Sequence, residues 1–147
     1  STDGAAVTRA HWKLEEAKLE SVAGFLPESR AHVAAAKAVL ANISTIMPSV
    51  SASRSSGNAA VIYTRNAEIK GPMSAFGYGY LDDKLAIDKR HLLKLSGEYA
   101  YEALNLVNGK LTVQNIRDTL TAQFGVVSVD DVYSYLSALE SIDVIRR

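Results

Sequence analysis

The sequence predicts a mainly α fold, with a helical hairpin in the N-terminal half and a compact helical domain with a small β element at the C-terminal end. Three observations predict this fold. Apolar residues recur three and four positions apart through residues 5–46, as they do on one face of an α-helix. From Asp82 onward, short helical patterns alternate with capping residues and glycines. After the last helical pattern, Val144 and Ile145 form a short β-prone pair.

Two helices are predicted in the N-terminal half, over residues 5–26 and 27–46. The apolar stripe of the first consists of Val7, Ala10, Leu14 and Ala17. Trp12 lies off this stripe. The stripe of the second helix consists of Val33, Ala36, Leu40 and Ile43. Gly24 and Pro27 separate the helices, either as the turn of a hairpin or as a kink in one helix. We favour the hairpin, because the two stripes would then cover each other.

The middle of the chain, residues 49–81, is predicted as a Ser- and Gly-rich loop with short strands. The stretch from Pro48 to Asn58 is rich in Ser and has little to bury, and residues 60–64 are β-prone. The sequence therefore separates a helical segment, residues 1–48, from a C-terminal domain, residues 82–147.

Capping residues divide the C-terminal domain into four helical patterns. Asp82-Asp83 opens the first pattern, and Asn108-Gly109 stops the second. Thr112 caps the third, which Gly125 stops, and Ser128 caps the fourth. The core face of the fourth helix consists of Val132, Leu136 and Leu139. Three short capped helices followed by a strand have the layout of a winged helix, so this domain is predicted to be winged-helix-like.

The composition excludes several classes of protein. The 147 residues are 48% apolar and 22% charged, and 16 Lys and Arg balance 16 Asp and Glu. A net charge of zero gives no overall attraction to nucleic acid or to anionic lipid. No apolar run approaches the roughly 18 residues of a membrane span. Without Cys there is no disulfide scaffold, thiolate metal site or Cys nucleophile, and the compartment stays open.

Two sequence phrases in residues 97–147 resemble a known domain. Gly109-Lys110-Leu111-Thr112-Val113 joins two helices, and Val132-Tyr133-Ser134-Tyr135-Leu136 leads to the terminal strand. They resemble the winged-helix peptide-recognition domains of peptide-derived cofactor and natural-product biosynthesis. The Gly-Lys-x-Thr-Val phrase is a capped turn that also occurs in other winged helices. The resemblance implies that a peptide lies along the third helix and pairs with an exposed strand of the wing sheet.

A second resemblance spans most of the chain. An Ala-rich helical segment precedes Arg65-Asn66-Ala67-Glu68-Ile69-Lys70-Gly71-Pro72, and Ile116-Arg117-Asp118-Thr119-Leu120 and Tyr135-Leu136-Ser137-Ala138-Leu139-Glu140 follow. This order resembles the C-terminal tails of certain bacterial co-catalytic zinc aminopeptidases. Asn108 replaces their usual Asp, and Asp143 replaces a common Gly. The catalytic zinc domain of those enzymes has no counterpart in this sequence.

The resemblances imply a non-catalytic accessory or peptide- and protein-docking domain, the C-terminal part of a larger bacterial aminopeptidase-like protein. The chain begins Ser1-Thr2-Asp3-Gly4, without an initiator Met or a secretory signal pattern, and we expect it to be a piece of a longer protein. The expected partner is a protein or peptide, such as the catalytic domain of its own parent chain. No membrane partner and no cofactor are expected.

The candidate binding residues lie on the last predicted helix. Tyr133 and Ser137 are four residues apart, and Asp130 lies on the adjoining face, all of them off the core stripe. Tyr suits an interface because it combines a large apolar ring with a polar tip. The alternative interpretation is that Tyr133 only covers the edge of the core.

No catalytic or metal site is predicted, and DNA binding is the alternative function. His11, His32 and His91 share no metal-ligand spacing. A DNA-binding winged-helix regulator would need basic residues on its recognition helix, but residues 129–142 carry no Lys or Arg. Residues 91–147 hold five basic and seven acidic residues, a net charge of −2 that opposes binding to phosphate.

Overall fold

The structure is a computed structural model that describes residues 2–45, 57–69 and 80–147. These residues form six α-helices, three short 3-10 helices and one two-stranded antiparallel sheet. The predicted mainly α fold with a small β element is therefore confirmed. Most of the predicted Ser-rich loop, and the Gly71-Pro72 end of the second resemblance phrase, lie outside the described residues.

The chain divides into two compact units, Ser1–Ser53 and Arg54–Arg147. The N-terminal unit contains α1 (Thr2–Phe25), the 3-10 helix Pro27–Ser29 and α2 (Arg30–Ser44). The elements of the C-terminal unit, in chain order, are a 3-10 helix (Gly57–Ala60), β1 (Thr64–Arg65), α3 (Tyr80–Lys84), a 3-10 helix (Ile87–Leu92), α4 (Gly97–Asn105), α5 (Val113–Phe124), α6 (Val129–Ser141) and β2 (Ile145–Arg146). No helix in the described ranges is both long enough and apolar enough to cross a lipid bilayer.

The N-terminal unit is a helical hairpin, as the sequence predicted. Helices α1 and α2 pack against each other. Lys37 of α2 donates a hydrogen bond to the Glu20 carboxylate of α1, 17 residues away in the chain. The chain must reverse between these residues, so one kinked helix is excluded. The reversal begins at Leu26, whose carbonyl oxygen accepts a hydrogen bond from the Ser29 amide at 2.9 Å.

The predicted apolar stripes of the hairpin are only partly correct. On α1, Ala17 is exposed, whereas Trp12, expected outside the stripe, is half-buried. On α2, Val33 is buried but Ile43 is exposed. The regular spacing identified the helices and most of the covered face, since the other three residues of each stripe are half-buried or buried.

Residues 82–95 do not form the single helix that was expected. Helix α3 ends at Lys84, and a 3-10 helix follows over Ile87–Leu92. Ala86 between them is extended, with φ −56° and ψ 141°, which interrupts the helical hydrogen bonds. The 3-10 helix packs against α6, so tertiary contacts override the local helical pattern here.

A strand from the middle of the chain lies at the centre of the C-terminal unit. Thr64 pairs with Arg146 in the antiparallel sheet. On the other side of this strand, Val113 N donates to Val61 O at 2.9 Å and Gly109 N donates to Tyr63 O at 3.0 Å. Residues 57–69 therefore belong to the C-terminal unit and not to a separate loop segment, so the unit begins well before the predicted boundary at residue 82.

Gly109 is required by the close approach of two segments. Its φ is +76°, and a Cβ atom at this position would lie 3.0 Å from Cγ2 of Thr64. Helix α4 has already ended at Asn105, so Asn108-Gly109 is not the helix stop that the sequence suggested. Asn108 instead accepts hydrogen bonds from the amides of Lys110 and Leu111, both at 3.0 Å, which forms a tight turn.

The capping predictions at Thr112, Gly125 and Ser128 are confirmed, whereas Asp82-Asp83 does not open a helix, because α3 already includes Tyr80. Thr112 and Asn115 form a capping box at the start of α5. Ser128 Oγ accepts a hydrogen bond from the Asp131 amide at 2.9 Å at the start of α6. Gly125 follows α5 with φ +120°, a conformation that L-residues rarely adopt. These residues fix where α5 begins and ends and where α6 begins. The two helices contribute most of the fully buried large side chains of the core.

The core of the C-terminal unit lies between α4, α5, α6 and the strands. Its fully buried large side chains are Tyr63, Val113, Ile116, Leu120, Val132, Leu136, Leu139 and Ile145. The predicted core face of α6 is confirmed, because its three apolar residues are all fully buried. Helix α6 thus presents its opposite face for other contacts.

Leu136→Ala should lower the free energy of unfolding by about 2–5 kcal/mol, because it leaves a cavity at a fully buried position. Urea unfolding followed by circular dichroism measures the change. Val126→Ala is the control in the same unit, since Val126 is 93% exposed, and it should change the stability by less than about 0.5 kcal/mol. Equal effects of the two substitutions would contradict the assigned core face.

The stability should also fall at high pH because of Tyr135. Burial raises the pKa of its hydroxyl to about 12, whereas an unfolded Tyr has a pKa of about 10. The folded chain keeps this proton where the unfolded chain loses it, so stability is full below about pH 10 and is lost as the pH rises towards 12. Between about pH 9 and 12, the free energy of unfolding of Tyr135→Phe should fall by about 2 kcal/mol less than that of the wild type. Urea unfolding at each pH measures this difference. Parallel curves of unfolding free energy against pH for the two proteins would contradict the prediction.

Candidate functional site

Five polar and aromatic side chains meet at the C-terminal end of the chain. We call them the arginine–tyrosine cluster: Tyr63, Tyr133, Ser137, Glu140 and Arg147. The Arg147 guanidinium lies over both rings, 5.7 Å from the centre of Tyr63 and 5.9 Å from that of Tyr133. Its Nη2 donates to the Tyr133 hydroxyl at 3.2 Å and to Glu140 Oε2 at 3.0 Å.

The register of the small sheet brings Arg147 to Tyr63. Because Thr64 pairs with Arg146, the residues next to them in the sequence, Tyr63 and Arg147, lie opposite each other. The remaining members come from one face of α6, where Tyr133, Ser137 and Glu140 are four and three residues apart. The cluster therefore joins three separate parts of the sequence.

Tyr63 is the most buried residue of the cluster. It is 1% exposed, and its hydroxyl lies 3.4 Å from Oγ of Ser137. Burial raises the pKa of this hydroxyl above its ordinary value, so it stays protonated at neutral pH. The ring therefore presents a neutral face to the guanidinium above it, which suits a cation–π contact.

The upper part of the cluster faces solvent. The Arg147 side chain is 51% exposed and that of Glu140 is 30% exposed. Tyr133 is half-buried between them and the core. A guanidinium with five N–H donors in this position can receive a further carboxylate from outside. The arrangement is therefore suited to binding.

The structure brings together two of the three predicted binding residues. Tyr133 and Ser137 belong to the cluster, whereas Asp130 lies one turn earlier on α6, exposed and outside the hydrogen bonds of the cluster. The sequence interpretation missed Tyr63, Glu140 and Arg147. The spacing of Glu140 from Ser137 was a usable signal, but the contact between residues 63 and 147 depends on strand pairing that no local pattern shows.

The edge of β2 does not offer the exposed strand that the resemblance implied. Peptide groups in an antiparallel pair alternate between facing the partner strand and facing away. Asn66 N donates to Val144 O at 3.0 Å, so the peptide groups of Ile145 face away from β1. Ile145 is fully buried. Its N–H and C=O groups are thus closed to an added strand.

A second polar group is buried within α5. Arg117 Nε lies 3.1 Å from Asp118 Oδ1, and Gln114 Nε2 donates to the same oxygen at 2.9 Å. Both charged residues are 7% exposed. Breaking a buried pair leaves an uncompensated charge and is strongly destabilising. This group therefore supports the fold rather than a surface.

The three histidines belong to neither group. His11 is near Glu15 on α1, with Nε2 and Oε1 3.9 Å apart, and His91 Nδ1 lies 2.6 Å from the Asp88 carbonyl oxygen. His32 is exposed on α2. Within residues 2–45, 57–69 and 80–147, no three His, Asp or Glu side chains are grouped so that they can hold a metal ion.

Two substitutions at Tyr63 separate the role of its ring from that of its hydroxyl. Tyr63→Ala should cost about 3–5 kcal/mol, as for other buried aromatic truncations. Tyr63→Phe keeps the ring under Arg147 and removes the hydroxyl, with its long contact to Ser137 and its interaction with Arg147, so it should cost about 1 kcal/mol. Urea unfolding measures both. A large loss in Tyr63→Phe would show that the hydroxyl, and not the ring, supports the cluster.

The comparisons with known proteins give no match. No protein-family model, no curated protein and no solved structure matches this chain.

Proposed function

We propose that this chain is a non-catalytic accessory domain that docks a protein segment on the arginine–tyrosine cluster. Its partner is the catalytic domain of a larger bacterial protein similar to a zinc aminopeptidase. The observation that carries the proposal is the half-exposed Arg147 side chain, whose guanidinium lies over two tyrosine rings. Arg and Tyr are the side chains most enriched where binding energy concentrates in interfaces.

The cluster gives the docking surface a chemical preference. Glu140 accepts only one hydrogen bond from Arg147, and the guanidinium stays half-exposed, so a partner carboxylate can bind beside it. The ring of Tyr133 next to it offers apolar contact. The preferred segment therefore carries a carboxylate adjacent to an apolar side chain.

Opposite charges at the two ends of α6 fix the direction of the partner. Asp130 and Asp131 lie in the first turn, and Arg147 lies beside the last turn. Ten residues separate Asp130 from Glu140, which is about 15 Å along a helix. A segment lying along this face would place its acidic end at Arg147 and a basic or neutral end at Asp130.

Docking through side chains on α6 fits the structure better than strand addition. The outward peptide groups of β2 belong to the buried Ile145, as described above. The other flank of the central strand is occupied by residues 109–113. A segment that docks on the face of a helix requires neither edge of the sheet.

The fold on which this surface lies is proposed to be winged-helix-like. The order α4, α5, α6 and then β2, with caps at Thr112 and Ser128, supports it. The alternative, a DNA-binding regulator, is less well supported. The acidic first turn of α6 would face the phosphates if this helix entered the major groove.

The test is binding to the catalytic domain encoded in the same reading frame as this chain. Isothermal titration calorimetry should show saturable binding by the wild type. The double variant Tyr133→Ala, Asp130→Lys removes the aromatic contact and reverses the charge at the other end, and it should weaken binding at least about tenfold, or 1.4 kcal/mol.

The matched control is Tyr101→Ala, Asp83→Lys, which changes the same residue types at exposed positions outside the cluster. It should bind as the wild type does. Circular dichroism must show that both double variants keep the wild-type fold. Unchanged affinity in the Tyr133 variant, or a reading frame that encodes no such catalytic domain, would contradict the proposal.

A further inference from the structure

We propose that the N-terminal hairpin, α1 with α2, is a dimerisation element that pairs with the hairpin of a second copy of this chain as a four-helix bundle. This surface is separate from the arginine–tyrosine cluster and belongs to the other unit of the chain. The proposal depends on the burial, the exposed apolar residues and the charges of the hairpin.

The hairpin by itself buries very little. Among the residues of 4–45 with a described side chain, Val33 alone is buried, at 8% exposure. Most of the stability of a helix in a protein comes from packing one of its faces. Two helices that share a single buried side chain therefore need a further surface to pack against.

Large apolar side chains of the hairpin are exposed at the turn and along α2. At the turn, Phe25 is 84% exposed and Leu26 is 51% exposed. Along α2, Val39 is 58% exposed and Ile43, one turn later, is 44% exposed. Exposed apolar residues grouped in this way mark interaction sites.

Helix α2 is mostly apolar. Its 15 residues include six Ala, two Val, one Leu and one Ile, against two charged residues, Arg30 and Lys37, and three other polar ones, His32, Asn42 and Ser44. Its many Ala residues allow the backbone of another helix to come close.

The charges of the hairpin favour a second copy as the partner. Helix α1 carries four acidic and three basic residues, a net charge of −1, and α2 carries two basic residues and no acidic one, a net charge of +2. In a two-fold pair of hairpins, α1 of one copy can lie beside α2 of the other, and this contact occurs twice. Opposite net charges then meet at both contacts.

The size of the hairpin sets the expected strength. At 24 and 15 residues, the helices are about 36 and 22 Å long and about 10 Å wide, so two copies can bury on the order of 1,200 Å². This value lies at the lower limit of stable interfaces. The dimer should therefore dissociate on dilution.

The experiment is sedimentation equilibrium of the full chain over a hundredfold range of concentration. The mass of the wild type should rise from that of one 15.8 kDa chain to that of two. The double variant Val39→Glu, Ile43→Glu places two negative charges on the exposed face of α2. Because both positions are already exposed, the single chain keeps its fold, and the variant should stay monomeric throughout.

The matched control is Ile87→Glu, Val126→Glu, which makes the same two changes at positions of the C-terminal unit that are 84% and 93% exposed. It should dimerise as the wild type does. A wild type that is monomeric at every concentration overturns the proposal. So does a dimer that survives in Val39→Glu, Ile43→Glu, or one that is lost in the control, since the contact would then lie elsewhere.

Discussion

The C-terminal unit depends on the insertion of one extended segment, residues 61–66, between two others. Val61 and Tyr63 accept hydrogen bonds from the amides of Val113 and Gly109, and Asn66 donates to Val144 O. These bonds tie the start of α5 and the end of the chain to a segment that precedes α3, α4, α5 and α6. Without this segment, α5 and β2 would have no common partner among these bonds.

A buried polar residue and a strained one fix the end of this segment. Asn66 is 6% exposed, and both polar atoms of its side chain are hydrogen-bonded, because Nδ2 donates to Asp143 O at 2.7 Å and Oδ1 accepts from the Glu68 amide at 3.1 Å. Asp143 has φ +64°, a left-handed conformation that Asp tolerates better than most residues. Its carboxylate binds Arg146 through two bonds of 2.7 Å. This turn directs the chain from α6 back along β1.

The arginine–tyrosine cluster is a consequence of the same pairing. Once Thr64 is opposite Arg146, Tyr63 and Arg147 come next in register over the outer face of α6. The two units of the chain differ in how much buried core lies beneath their proposed interaction surfaces. The cluster lies on a packed core, whereas Val33 is the one buried side chain described in the hairpin. The proposed partner of the cluster would meet side chains that are already in place, while the proposed partner of the hairpin would also complete its packing.

The sequence by itself determined the features that depend on a few neighbouring residues. The caps at Thr112 and Ser128, the stop at Gly125 and the buried face of α6 follow from local hydrogen bonding and helical spacing, and so does the existence of the two N-terminal helices. The aminopeptidase and peptide-recognition resemblances, and Tyr133, Ser137 and Asp130 as binding residues, remain predictions.

Only the tertiary structure decided the rest. The break at Ala86, the central position of residues 61–66 and the meeting of Tyr63 with Arg147 each depend on surfaces that are distant in the chain. Local patterns extend over one or two turns of helix, but a strand register across 82 residues is chosen by which pairing buries Tyr63 and Ile145 together. That choice belongs to the packed core as a whole, and no short stretch of sequence contains it.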